Sequence, residues 1–188
     1  MLNSLRLTNS PRATGEMADM EVLANNGHMR ENYIGIDPGK KGFACIYNGY
    51  GYEHYPLFTT QKSNQINTEI VERLRELAKQ DTICVIESVH AMPGQGVSSC
   101  FTFGMGFGMV IGLVQAIGIP YELVAPTKWQ KEIITAADKS ESTKKTSLNA
   151  AVRLHPNMDF RKSSLARNFD DNKVDATLIC DYARRKNL

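Results

Sequence analysis

The chain has 188 residues, 42% of them hydrophobic and 22% charged, and a formal net charge of +2. That leaves room for one ordinary globular domain with a proper core. So small a net charge excludes a global field demanding a polyanionic partner. Cys45, Cys84, Cys100 and Cys180 are scattered and form no Cys-x-x-Cys pair, which favours reduced core thiols over a zinc site or a disulfide frame. The longest apolar candidate, 105–119, is glycine-rich and falls short of the ~18 residues a membrane span needs. Nor does the N-terminus read as a secretory segment. The expectation is a soluble intracellular protein.

Residues 1–30 are polar, mixed and without a clean period. They read as a poorly ordered extension with a weak helix signal over 15–24, ahead of one domain over 31–188. The strand Tyr33 to Asp37 turns at Pro38-Gly39-Lys40-Lys41-Gly42 into an antiparallel strand, Phe43 to Tyr47. Asn48-Gly49 and Gly51 turn the chain again, into a strand from Tyr52 to Phe58. Ile66, Ile70, Val71, Leu74, Leu77 and Ala78 recur at helical spacing, and that helix ends near Gln80. Thr82 to Ile86 is a short buried strand. A Pro93-Gly94-Gln95-Gly96 loop leads to a glycine-rich helix from about Ser99 to Ile117. Tyr121 to Val124 is the next strand, Pro126 opens a short helix, Thr143 to Leu154 forms another, and a last helix runs from about Lys173 to Arg185. Three meandering strands followed by alternating helix and strand predict an α/β fold. It is a ribonuclease H-like mixed five-stranded sheet, three strands antiparallel and then two parallel, flanked by helices.

Four acidic residues stand out in that scheme. Asp37 and Glu87 close apolar, β-branched runs, while Asp171 and Asp175 are i and i+4 at a helix start and share one face. Singly, each has an ordinary use: Asp before Pro-Gly forms turns, and an acid at a helix start complements the dipole. Gathered at one sheet end, carboxylates repel unless cations lie between them, and hard oxygen donors select magnesium or manganese over zinc. Two such ions would suit in-line displacement at phosphate. The catalytic and metal-binding set is therefore Asp37, Glu87, Asp171 and Asp175.

Ile34-Gly-Ile-Asp-Pro-Gly39, Val85-Ile-Glu-Ser-Val-His-Ala-Met-Pro-Gly-Gln-Gly-Val97, the helix with glycines every fourth residue and Lys173-Val-Asp-Ala-Thr-Leu-Ile179 resemble the RuvC family of Holliday-junction resolvases. The likeness spans about 33–185 and leans to the branch of phages and prophages, with some similarity to chloroplast resolvases. It implies an endonuclease that nicks opposing strands of four-way junction DNA as a homodimer, with two Mg2+ ions per site (Mn2+ as substitute), leaving 5′-phosphate ends. It implies neither a nucleotide cofactor nor a membrane partner. The setting would be the cytoplasm or nucleoid, or the host cytoplasm if phage-encoded. By this resemblance Asp37, Glu87 and Asp175 match metal ligands; the fourth position falls on Asp171, with Asp170 as its rival.

Gly104, Gly108 and Gly112 strip one helix face of side chains. Either close packing on the sheet or, as the resemblance suggests, a dimer interface would compensate the ~1 kcal/mol each glycine costs in a helix. The loop residues Gln95, Ser98 and Ser99 are candidate DNA donors, with Phe101, Phe103 and Phe107 mostly structural. His90 has no identifiable partner for a proton shuttle. Lys128, Lys131, Lys144, Lys145 and Lys173 belong to a basic C-terminal third and are DNA-binding candidates; Lys144 or Lys145 matches a family lysine that contacts phosphate. Trp129 reads as a packing anchor. Two other functions fit parts of the chain. One is an actin-like-fold ATP phosphotransferase, whose first phosphate loop Ile34 to Gly42 resembles, though that fold encloses its nucleotide with a second domain. The other is a branched-DNA-binding protein that does not cut.

Overall fold

The computed structural model describes residues 29–188 apart from 40, 60–64, 91–93 and 95. The extension expected over 1–30 thus lies outside the described residues, except for Met29 and Arg30. Five strands, β1 (Asn32–Asp37), β2 (Phe43–Tyr47), β3 (Tyr52–Pro56), β4 (Thr82–Glu87) and β5 (Tyr121–Val124), make one sheet. Its order is β3-β2-β1-β4-β5. β1, β2 and β3 pair antiparallel, and β4 and β5 run parallel to β1. This is the ribonuclease H-like arrangement expected from the chain. β1 is central and buried along its whole length, which is why it reads as a continuous apolar run instead of an alternating one.

The helices are α1 (Thr68–Leu77), α2 (Val97–Ile117), α3 (Pro126–Ile133), α4 (Thr143–Leu154) and α5 (Asp171–Lys186). Some boundaries differ from expectation for local reasons. β3 stops at Pro56, which offers the ladder no N–H, and Phe58 instead makes an isolated bridge with Ile66. That bridge takes Ile66 out of α1, which starts beyond Asn67, whose side chain caps Glu69 N at 3.1 Å. A 3-10 turn at Ala136–Asp138 was not apparent from periodicity. It is closed by a Thr135–Asp138 capping box. Arg153 then ties it to α4 by bonding both Asp138 carboxylate oxygens at 2.8 Å.

Strand alternation sorts the core into two layers. Tyr33, Ile83 and Val85 pack with α3, α4 and α5. Ile34, Ile36, Cys84 and Ile86 pack with α1 and α2. α5 lies directly on β1 at Gly35, where an added Cβ would sit 2.2 Å from Cys180 N and 2.4 Å from Ala176 O. Cys180 Sγ, in turn, donates to Tyr33 O at 3.3 Å.

α2 behaves otherwise. It is 21 residues long, starting earlier than the glycine pattern implied, and its buried residues are Gly106, Val110 and Val114. A Cβ on Gly104, Gly108 or Gly112 would meet no described atom within 4 Å. Close packing on the sheet is therefore not what these glycines serve, and Phe101, expected to be mostly structural, is 73% exposed. The segment also exceeds the apolar length read from 105–119. With a mean hydropathy of 1.8 and 17% of its apolar window buried, it is long and apolar enough, by length and composition alone, to cross a membrane.

Gly35→Ala should cost about 3 kcal/mol or more, because the methyl meets backbone atoms that cannot rotate away. Urea denaturation measures this; a stability within 1 kcal/mol of the parent, on the order of ordinary surface changes, would contradict the close approach.

Candidate active site

The two-layer sorting decides which acids can meet. Asp37 follows Tyr33 and Gly35 at steps of two along β1, and Glu87 follows Ile83 and Val85 likewise along β4, so both face the α5 layer. β1 and β4 are paired in parallel up to Ile36↔Ile86, and the next residues on each strand are Asp37 and Glu87. α5 rests on Gly35 through Ala176, which brings Asp175 over the same strand ends. Asp171, one helical turn earlier, lies on the same flank and adds to the negative charge felt by Asp175.

Their electrostatics show the cost of this grouping. Asp37 is 8% exposed. Burial first, then the neighbouring Asp175, push its carboxyl up to about 8; Glu87 and Asp170 add to the rise, while a hydrogen bond from Gly39 N opposes it. Asp175 is pushed up to about 7, by burial and then by Glu87 and Asp171, against a hydrogen bond from Ser147 and the charge of Lys144. Burial also raises Glu87, with the Trp129 hydrogen bond pulling the other way. Asp175 Oδ1 is buried and has no hydrogen-bond partner. A buried carboxylate oxygen left unbonded is expensive, and a hard divalent cation among these oxygens would relieve both the orphan and the mutual repulsion. The donor set fits such an ion in kind. Among the described residues no three acid, imidazole or thiol side chains are already closed into a cage; the carboxylates are neighbours, not a finished coordination sphere.

Around this centre Asp170 and Asp171 have different duties. Asp170 is the N-cap of α5, its Oδ1 accepting from Asn172 N at 3.1 Å and Lys173 N at 3.4 Å. Asp171 Oδ2 instead accepts from Lys144 Nζ at 2.6 Å, in an exposed pair. Lys145 stands beside Lys144 in the first turn of α4, and Lys128 and Lys131 lie on α3; all three are exposed. Lys173 turns away from the late aspartates and donates to Asp159 O at 2.6 Å. Ser98 and Ser99 are exposed in the first turn of α2 and His90 is exposed before it, whereas Gln95 lies outside the described residues.

Two neighbours of the acids escaped sequence reasoning. Ser147, 5% exposed, stands beside Asp175 on α4 and works against the rise of its carboxyl, and nothing in its local sequence marks it. Trp129 is a packing anchor, as expected, being 0% exposed. It also donates its indole N–H to Glu87 Oε1 at 2.8 Å.

No protein-family model and no curated protein sequence matches this chain. Solved structures do. RuvC of T. thermophilus, determined in complex with a Holliday junction substrate, matches with a TM-score of 0.53 and 16% identity over 85% of this chain and 96% of that one. The yeast mitochondrial Holliday junction resolvase Ydc2 matches with a TM-score of 0.52 and 13% identity over 96% of this chain and 88% of that one. At such identities the likeness establishes a RuvC-like fold and does not distinguish one branch of these proteins from another.

The raised carboxyls have a consequence for stability. Asp37 titrates ordinarily at 3.8 and here at about 8, so between those values the folded chain keeps a proton that the unfolded chain releases. Raising the pH through that window therefore weakens folding. Without divalent ions the melting temperature should fall as pH rises from about 4 to about 8. Added magnesium should shrink the fall, and Asp37→Asn should flatten the metal-free profile. A metal-free melting temperature that climbs across this window would contradict the buried cluster.

Proposed function

We propose that the chain is a structure-selective endonuclease that resolves four-way DNA junctions by metal-dependent phosphodiester hydrolysis. The observation carrying this reading is the shared position of Asp37, Glu87 and Asp175 at the exit of β1 and β4, with one buried carboxylate oxygen unpartnered. The RuvC-like fold supports it, since two proteins of that fold are described as RuvC bound to a Holliday junction and as a Holliday junction resolvase.

Asp37, Glu87, Asp171 and Asp175 would hold two magnesium ions, or manganese in their place. Asp171 is preferred to Asp170 because the Asp170 Oδ1 already caps α5, whereas the partner of Asp171 is an exposed lysine that can exchange. Bound there, the ions supply Lewis acidity at the scissile phosphate and an activated water. The chain's own contribution is a rigid, partly buried row of carboxylates on two paired strands and one helix. Lys144, now paired with Asp171 in an exposed contact, would exchange it for a phosphate oxygen of the DNA, and Lys128, Lys131 and Lys145 would follow the DNA backbone. Water attacks phosphorus in line, the P–O3′ bond breaks, and the products carry 5′-phosphate and 3′-hydroxyl ends.

A four-way junction has near two-fold symmetry, so paired nicks call for a two-fold dimer. The exposed apolar face of α2, with its bare glycines, is the surface we assign to that dimer. The motif likeness to the phage and prophage branch, and an intracellular site of action on DNA, belong to the same proposal.

Asp37→Asn and Glu87→Gln should each lower nicking by at least about a thousandfold while leaving junction affinity within a few fold. Gel assays of a labelled four-way junction and of linear duplex, with and without magnesium, measure both. Nucleotide hydrolysis without DNA would favour a phosphotransferase, and junction binding without cleavage a purely architectural protein.

Gly108→Leu separates folding from assembly. In the monomer the new side chain enters open space and improves helix propensity by about 1 kcal/mol, but at a close helix-helix contact it would clash. Sedimentation should show a dimer for the parent and a monomer for the variant, with single nicks replacing paired ones. A monomeric parent that partitions into lipid vesicles would redirect the face to a membrane.

A further inference from the structure

Resting on the metal-nuclease reading, the next inference concerns Trp129. Its position is over-determined. Glu87 pairs with Val124 on β5, and Ser88 N donates to Val124 O at 2.7 Å, so the two strand ends are locked together. The chain then turns at Ala125, Pro126 opens α3, and Trp129 N reaches back to Ala125 O at 3.4 Å. This short connection fixes a fully buried indole against the side chain of Glu87, and Nε1 donates to Oε1 at 2.8 Å. A buried indole N–H needs an acceptor, but a neutral carbonyl would serve without bringing a charge to the core edge. Here the acceptor is one oxygen of a carboxylate that closes the strand beside Asp37.

We propose that Trp129 is a positioning residue for the cation site: by holding Oε1 it restricts Glu87 to one rotamer and presents Oε2 to the divalent ion. An unrestrained glutamate samples several rotamers and loses that freedom on binding, so the hydrogen bond converts a flexible ligand into a prepared one. Partners of this kind, which bond to a ligand and not to the metal, commonly change metal affinity by about ten- to a hundredfold.

The chain contains one tryptophan, so its indole emission comes from this position alone. Titration with paramagnetic Mn2+ should quench that emission saturably in the parent protein, and Glu87→Gln should weaken the quenching. The decisive replacement puts β-(3-benzothienyl)alanine at position 129, which keeps the ring shape and volume and removes the N–H. Free Mn2+ counted by electron paramagnetic resonance should then show affinity about tenfold weaker. Junction nicking should need correspondingly more Mg2+ and reach the parental rate at saturation. Trp129→Phe should shift the metal dependence in the same direction, with an added loss of stability from the smaller ring. Unchanged Mn2+ affinity and Mg2+ midpoint in the benzothienyl protein, beside a parent that binds metal and nicks, would overturn the positioning role and leave the nuclease reading intact. So would a lower saturating rate with an unmoved midpoint. A parent that neither binds Mn2+ nor nicks a junction would overturn both.

Discussion

The contact of α5 with β1 at Gly35 is the constraint on which the rest depends. A helix normally stands off a sheet by the length of intervening side chains. Here the absence of a Cβ lets backbone meet backbone, with the would-be Cβ 2.2 Å from Cys180 N. That approach sets the height of α5 over the sheet, and so the height of Asp175 over the ends of β1 and β4. The position is bonded as well as packed, since Cys180 Sγ donates to the carbonyl of Tyr33 two residues before the glycine. A helix held one side-chain layer further out would carry its acids beyond the reach of Asp37.

From that geometry follows an electrostatic debt at the sheet edge. Asp37 and Asp175 are each raised far above ordinary carboxyls, chiefly by burial, and then Asp37 by Asp175 and Asp175 by Glu87 and Asp171. A fold that only needed stability would not keep such a group, because apolar residues of similar size would serve better. The surroundings act instead to hold single oxygens in place: Gly39 N on Asp37, Trp129 on Glu87, Lys144 on Asp171. Each of these acids is restrained by a different element, so loss of one restraint would leave the others in place. Restrained in this way, the carboxylate oxygens need little reordering to meet a cation.

α2 poses the opposite problem, apolar surface in excess. Val97 and Phe101 stand exposed on it, and contiguous apolar surface of this kind is where folded proteins commonly meet a partner. Its glycine face is open to any helix that approaches closely, and the buried side, through Val110 and Val114, fixes which face is left outward. The apolar surface and the acids thus lie in opposite layers of one sheet, α2 on one side and the acids under α5 on the other.

The chain by itself determined the strands, their antiparallel-then-parallel order and the identity of the strand-end acids, because period-two and period-3.6 patterns and turn residues are local properties. Asp37 stands at even steps from Tyr33 and Glu87 at even steps from Ile83 and Val85, but both strands are buried on both faces, so only packing decided which layer those residues meet. The placing of Ser147 beside Asp175, the hydrogen bond of Trp129, the turning of Lys173 toward Asp159, the division of labour between Asp170 and Asp171 and the openness of the α2 glycines were decided only by tertiary structure. These depend on which elements pack together and how closely, and on side-chain directions across contacts between residues far apart in the chain. Periodicity places a residue on a face; it does not say what stands opposite.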